Sequence, residues 1–130
     1  MIVPYDASFD PPAPVLLAVL TGVVRNRPQI QLPALIDTGA DVTAIPHTAV
    51  NHLRLYAVAR IEIEGIQAEV AAVNIYTVRL AVADQPFREI EVISTGQPFV
   101  ILGRDWLESH YLLLNGPEKT FALSPTPLIE

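Results

Sequence analysis

Two acidic residues in one short turn are the groups in this sequence best placed to do chemistry. The apolar run at residues 34–36 leads directly into an Asp-Thr-Gly-Ala-Asp turn at residues 37–41. The run is typical of a buried strand, and the small residues after it leave the Asp37 carboxylate unshielded. Gly39 has no Cβ, so another backbone can approach this carboxylate closely. Asp37 could therefore act as a general base, or it could bond its own backbone as an ordinary Asx turn.

A second motif lies further along the chain, where residues 99–107 read Phe-Val-Ile-Leu-Gly-Arg-Asp-Trp-Leu. Leu102 and Trp106 are spaced i, i+4, which is consistent with one packed helix over residues 104–110. Together the two motifs resemble the retropepsin-like, or retroviral-type, aspartic proteases. That family carries Asp-Thr-Gly-Ala after an apolar strand, and later a Gly followed by a short helix often opened by Arg-Asp. The resemblance covers residues 15–123 and looks most like a small prokaryotic member.

The resemblance assigns roles to the residues of the first motif. It implies that Asp37, Thr38 and Gly39 form the catalytic turn of an aspartic endopeptidase. In the family the paired Thr residues, here Thr38, hydrogen-bond to each other across a dimer axis. Ala40 and Asp41 would bind the backbone of an extended peptide substrate.

The resemblance also assigns two supporting parts. The family braces the residue at Asp41 with the Arg after the Gly of the second motif, so Arg104 would be a structural support. The family's flap, which closes over substrate, would be residues 63–67. There Glu64, Gly65 and Ile66 would contact the peptide.

Hydrolysis by carboxylates needs two of them in one site, one ionised to deprotonate water and one protonated to polarise the scissile carbonyl. This chain contains one Asp-Thr-Gly. If the chemistry is real, the second Asp37 must come from a second chain, on the axis of a two-fold homodimer. The resemblance implies the same, since retropepsins are homodimers that interleave their chain ends, here residues 1–10 and 121–130.

Two other functions fit the same residues. A flap with one glycine, together with Pro125 and Pro127 near the C-terminus, is compatible with a non-catalytic dimerisation or peptide-binding module that kept the fold. The chain could also be a protease domain that needs a partner, or processing of residues 1–14, before it acts.

The elements needed to position these residues are mostly short strands. Many short strands separated by regular turns, with little helix, predict an all-β, closed or sandwiched fold. The resemblance narrows this to a single-lobe retropepsin-like barrel with one short C-terminal helix. We expect a Pro-rich extended arm over residues 1–14 and the protease domain over residues 15–130. The predicted strands are residues 15–24, 29–36, 42–45, 60–64, 67–75, 78–82, 87–93, 111–114 and 120–123, with a turn at 25–28 and a helix or loop at 47–55.

Composition narrows the function classes. The 130 residues are 51% hydrophobic and 17% charged with a net charge of −6, which indicates one folded domain and argues against nucleic acid as a partner. No cysteine is present, so disulfides and thiolate chemistry are excluded. The three histidines show no metal-ligand spacing, and we expect neither a metal nor an organic cofactor. The longest apolar stretch, residues 15–20, is too short to span a membrane, so no membrane partner is expected and the cytoplasm is the predicted location.

Overall fold

A computed structural model describes residues 1–24, 28–65 and 67–128 of the chain. Short strands dominate these residues, and two short helices interrupt them. The elements are β1 (Ile2–Pro4), β2 (Val15–Thr21), β3 (Gln29–Ile36), β4 (Ala44–Pro46), α1 (His47–His52), β5 (Ala57–Glu64), β6 (Val70–Val82), β7 (Arg88–Thr95), β8 (Val100–Leu102), α2 (Arg104–Leu107), β9 (Tyr111–Asn115) and β10 (Thr120–Ser124). Across the described ranges, neither helix is long and apolar enough to cross a membrane.

Six strands close into a barrel. The sheet runs β2-β3-β8-β4-β7-β6, and β6 pairs back onto β2 to complete the circle. The pairs β3–β8 and β4–β7 are parallel, and the other neighbours are antiparallel. The outer half of the long strand β6 leaves the barrel and pairs with β5 as a hairpin. The prediction of an all-β barrel is therefore confirmed.

The barrel interior is filled by side chains that alternate along the strands. In β6, Val78, Leu80 and Val82 are at most 1% exposed, as the period-two pattern of a strand requires. Trp106 of α2 and Phe121 of β10 are buried in the same core. Burial of this apolar surface is the main stabilising term for the fold.

The order of three strands determines where the acidic turn lies. β8 is inserted between β3 and β4, although β3 and β4 are closer to each other in the sequence. The turn that follows β3 and leads towards β4 must therefore pass the C-terminal end of β8. This arrangement brings the two sequence motifs together.

Several predicted boundaries were wrong. Residues 78–82 do not begin a new strand, because β6 runs unbroken from residue 70 to 82. Tyr76 and Thr77 suit a strand and do not end it. β4 starts at Ala44 rather than residue 42, and it includes Pro46 as its last residue, where the missing N–H costs little. β2 ends at Thr21, and α2 ends at Leu107.

The two chain ends meet in a separate three-stranded sheet with the order β1-β10-β9. β1 lies at the edge of this sheet, and it pairs with β10 of the same chain. Phe9 packs edge-on against Phe99 at 5.0 Å between ring centroids, so the arm also contacts the barrel. The division of the chain at residue 14 stays a prediction. The predicted turn over residues 25–28 and the last two residues of the chain fall largely or wholly outside the described ranges.

Candidate active site

Asp37 follows the last residue of β3 and begins the acidic turn, residues 37–41. Its side chain is half-buried, and its Oδ1 accepts a hydrogen bond from the Gly39 N–H at 2.9 Å. This is the bond of an ordinary Asx turn, so it fits the structural and the catalytic interpretation equally well. A Cβ at Gly39 would lie 3.3 Å from the same oxygen, a tight contact that the Asp37 carboxylate would have to relieve by shifting a few tenths of an ångström. Thr38 and Gly39 are exposed.

The residues that end β8 and begin α2, residues 102–105, form what we call the clamp segment. Its first residue, Leu102, accepts a hydrogen bond from the Asp37 N–H at 3.0 Å. Two residues later, the Arg104 N–H donates to the Ala40 carbonyl at 2.8 Å. The clamp segment therefore holds the acidic turn by its backbone at two points.

The side chain of Arg104 reaches over the same turn. Nη1 donates to the Thr38 carbonyl at 2.7 Å, and Nη2 pairs with the Asp41 carboxylate. The predicted contact between Asp41 and Arg104 is thus present. Both side chains are more than half exposed, so the pair adds little to stability. Its consequence is geometric, because the planar guanidinium joins two points of the turn.

A buried polar cluster also joins the clamp segment to Thr43, two residues after the acidic turn. It was not predicted from the sequence. Thr43 is fully buried, and its hydroxyl donates to Asp105 Oδ1 at 2.7 Å while its N–H donates to Asp105 Oδ2 at 3.0 Å. The Gly103 N–H donates to the Thr43 hydroxyl at 3.1 Å. A Cβ on Gly103 would lie 2.6 Å from the carbonyl carbon of Val42, so only glycine fits here. The one available sequence signal was a Thr within an otherwise apolar segment.

A groove of about 490 Å³ opens beside Asp37. Asp37, Ala40 and Asp41 lie on its floor, and apolar side chains form most of the remaining wall. Those side chains are Val42, Ala44, Ile61, Ile63, Ile93 and Ile101. None of them was among the site residues predicted from the sequence. The alternation of charged and apolar residues in β5 could have identified Ile61 and Ile63 as one face of the hairpin.

The β5–β6 hairpin contributes Ile61 and Ile63 to the groove wall, and its end carries two of the predicted substrate contacts. Glu64 and Gly65 are exposed there, and Ile66 lies outside the described residues. The Gly65 N–H donates to the Glu69 carbonyl at 2.8 Å, and the Glu69 carboxylate accepts from the Gln67 N–H at 2.9 Å. The turn is therefore closed by the side chain of Glu69 as well as by its backbone.

His110 packs against α2 through Trp106. Its ring stacks on Trp106 at 4.0 Å between centroids, and its Nε2 lies 2.8 Å from Gln85 Oε1. Burial lowers the pKa of His110 below its ordinary value, against an opposing contribution from the Trp106 carbonyl, and the positive charge of Arg88 lowers it further. Arg88 itself donates to the carbonyl of Asp105 at 3.0 Å.

The charged groups in and beside the groove are thus the carboxylates of Asp37 and Asp41 and the guanidinium of Arg104, which is paired with Asp41. In the part of the chain that the structure describes, no three His, Asp or Glu side chains are grouped so as to hold a metal ion. The groove can bind an extended apolar ligand, and Asp37 is the carboxylate of its lining that is not paired with Arg104. Chemistry that needs a second carboxylate without an arginine partner would have to obtain it from another molecule.

The family model described as retroviral aspartyl protease matches residues 13–115 of this chain. A search of curated protein sequences finds no match.

Solved structures show the same fold. Simian foamy virus protease is 19% identical, with a TM-score of 0.56 over 73% of this chain and 92% of its own. A retropepsin-like aspartic protease from Rickettsia conorii is 15% identical, with a TM-score of 0.64 over 95% and 88%. The prototype foamy virus protease-reverse transcriptase is 21% identical, with a TM-score of 0.55. The match covers 74% of this chain and 11% of that longer protein.

Proposed function

The chain belongs to the retroviral aspartyl protease family, and from this premise we propose that it is an aspartic endopeptidase that acts as a homodimer. The observation that carries the proposal is the position of Asp37, half-buried at the floor of an apolar groove and followed by exposed Thr38 and Gly39. Exposed residues directly beside Asp37 suit contact with the same turn of a second copy. Thr38 of each chain would hydrogen-bond across the two-fold axis.

The reaction uses the two Asp37 carboxylates as a unit. Two such charges about 3 Å apart repel by roughly 5 kcal/mol at an effective dielectric of about 20, so one proton is shared over a wide pH range. The ionised member takes a proton from water, and the protonated member polarises the carbonyl of the scissile bond. No metal or organic cofactor has a part in this mechanism.

The substrate we propose is an extended peptide or protein segment. Ala40 and Asp41 on the floor would bind its backbone, as would Glu64, Gly65 and Ile66 at the hairpin end, in the manner of an added strand. The apolar groove wall favours apolar substrate side chains near the scissile bond. Arg104 supports the floor through its contacts with Thr38 and Asp41.

One observation favours a second candidate function, a non-catalytic peptide-binding module. The hairpin end contains the single glycine Gly65, and the Glu69 side chain closes its turn. A hairpin that opens little could retain a bound peptide without cleaving it.

The test is cleavage of an unfolded protein mixture from acidic to neutral pH by the wild-type chain and by Asp37→Asn. Asp84→Asn is the matched control, because Asp84 is exposed in the turn between β6 and β7. Dimer content is measured on all three proteins. We expect Asp37→Asn to abolish cleavage and leave the dimer intact, and Asp84→Asn to retain both.

The other outcomes are also informative. A well-formed wild-type dimer that cleaves nothing at any pH would rule out the enzyme and leave the binding module. Cleavage that survives Asp37→Asn would place the chemistry elsewhere in the preparation or the chain.

A further inference from the structure

We propose that Asp105 is a positioning residue, which acts through Thr43 to hold the acidic turn in its active geometry. The inference rests on the proposed function, since it concerns the residues that would align Asp37 and Asp41. The side chains of Thr43 and Asp105 contact each other although the two residues lie 62 positions apart in the sequence.

The direction of each hydrogen bond in this cluster can be assigned. The Gly103 N–H can only donate, so the Thr43 hydroxyl accepts from it and has its single hydrogen left for Asp105. Asp105 also accepts from the N–H of Thr43 and, at 2.8 Å, from the N–H of Trp106. The carboxylate thus receives three donors, which an amide of the same size cannot do without turning its own NH₂ towards one of them.

Burial makes this cluster difficult to replace. Thr43 is 0% exposed, so water cannot take over a lost hydrogen bond at its hydroxyl. An isosteric apolar side chain would still fill the same volume. If the cluster served only packing, valine would therefore be an acceptable substitute for threonine.

The location of the cluster gives it a functional consequence. Thr43 comes two residues after Asp41, and Asp105 directly follows Arg104, which contacts Thr38 and Asp41. Release of Thr43 from Asp105 would let the strand that leaves the acidic turn shift against the clamp segment. A displacement of about 1 Å at reacting groups can lower a rate by about 100-fold.

Two substitutions at one position separate positioning from packing. Thr43→Val keeps the volume and removes the hydroxyl, whereas Thr43→Ser keeps the hydroxyl and removes a methyl group. Peptide cleavage is measured well below the unfolding transition of each protein, together with amide hydrogen exchange of residues 37–43. Asp105→Asn is the second variant and is decisive if Thr43→Val does not fold.

We expect kcat/KM to fall by about 10- to 100-fold in Thr43→Val and by no more than about 3-fold in Thr43→Ser. Exchange of the turn amides should rise in Thr43→Val but not in Thr43→Ser, and Asp105→Asn should resemble Thr43→Val. Equal kcat/KM for folded Thr43→Val and Thr43→Ser would overturn the inference. Faster exchange with unchanged kcat/KM would overturn it too, because the cluster would then stabilise without positioning.

These readouts also separate this inference from the proposed function. If the wild type shows no cleavage that depends on Asp37, the proposed function fails by itself. The amide exchange of residues 37–43 then decides whether Asp105 holds the turn, since it does not require activity.

Discussion

The groove is lined by the acidic turn, which we call its floor, and by the β5–β6 hairpin, which we call its roof. The floor is held by the clamp segment, and the roof is supported much less. The floor is bonded from several directions by backbone and side-chain groups, one of them the fully buried Thr43. In the roof every residue of β5 is exposed, and β5 pairs with β6 along one edge. Side-chain support at its end comes from Glu69.

This difference matches the tasks that the proposed function gives to the two regions. Groups that do chemistry need positions fixed to within a fraction of an ångström, which a satisfied and partly buried network supplies. A cover must open for substrate, so it has to be drawn from the less stable parts of the fold. The comparison therefore predicts that similar substitutions in the floor and in the roof have unequal effects.

The largest effect is expected from Gly103→Ala in the floor. The new Cβ would lie 2.6 Å from the carbonyl carbon and 2.7 Å from the carbonyl oxygen of Val42. These backbone atoms cannot move away without disturbing the hydrogen bonds of the adjoining Thr43. We expect a loss of about 3 kcal/mol in the free energy of unfolding, measured by urea denaturation.

Gly96→Ala is the matched control, because no atom lies within 4 Å of the position of its Cβ. It should change stability by less than about 0.5 kcal/mol. If Gly103→Ala were as stable as this control, the close contact between the clamp segment and Val42 would not exist in solution.

Replacement of His110, which packs on Trp106 of α2, should change the free energy of unfolding by a smaller amount, and this change should depend on pH. The folded protein holds the pKa of His110 below its ordinary value, first because of burial. As the pH falls, the unfolded chain therefore binds more protons than the folded protein. The stabilising contribution of neutral His110 is complete above the ordinary histidine pKa, and it is lost as the pH drops through the lower pKa of the folded protein. His110→Phe, which can keep the stacking on Trp106, should flatten this decline.

The measurement is urea denaturation of wild type and His110→Phe at a series of pH values from neutral to mildly acidic. The difference in unfolding free energy between the two proteins should move in favour of His110→Phe as the pH falls. Parallel pH profiles would show that His110 does not contribute to acid sensitivity.

Local patterns predicted most of the barrel. The resemblance of two motifs to a known family identified Asp37 as a candidate and predicted the contact between Asp41 and Arg104. Period-two alternation located most strands. It failed at β6, where Tyr76 and Thr77 were read as a break although both suit a strand. Thr43 and Asp105 escaped because their contact depends on the insertion of β8 between β3 and β4, which no local pattern encodes.

The smallest effect is expected from Gly65→Ala at the end of the roof, and it makes the comparison with Gly103→Ala direct. Here too a Cβ would collide with another atom, since it would lie 1.7 Å from Oε1 of Glu69. That atom ends a flexible, exposed side chain, so Glu69 can swing into solvent and give up its bond to the Gln67 N–H. We expect a stability change below about 0.5 kcal/mol by urea denaturation, with faster amide exchange confined to the hairpin end. A loss as large as that of Gly103→Ala would mean that the roof is built as rigidly as the floor, and a mobile cover could then no longer be part of the proposed mechanism.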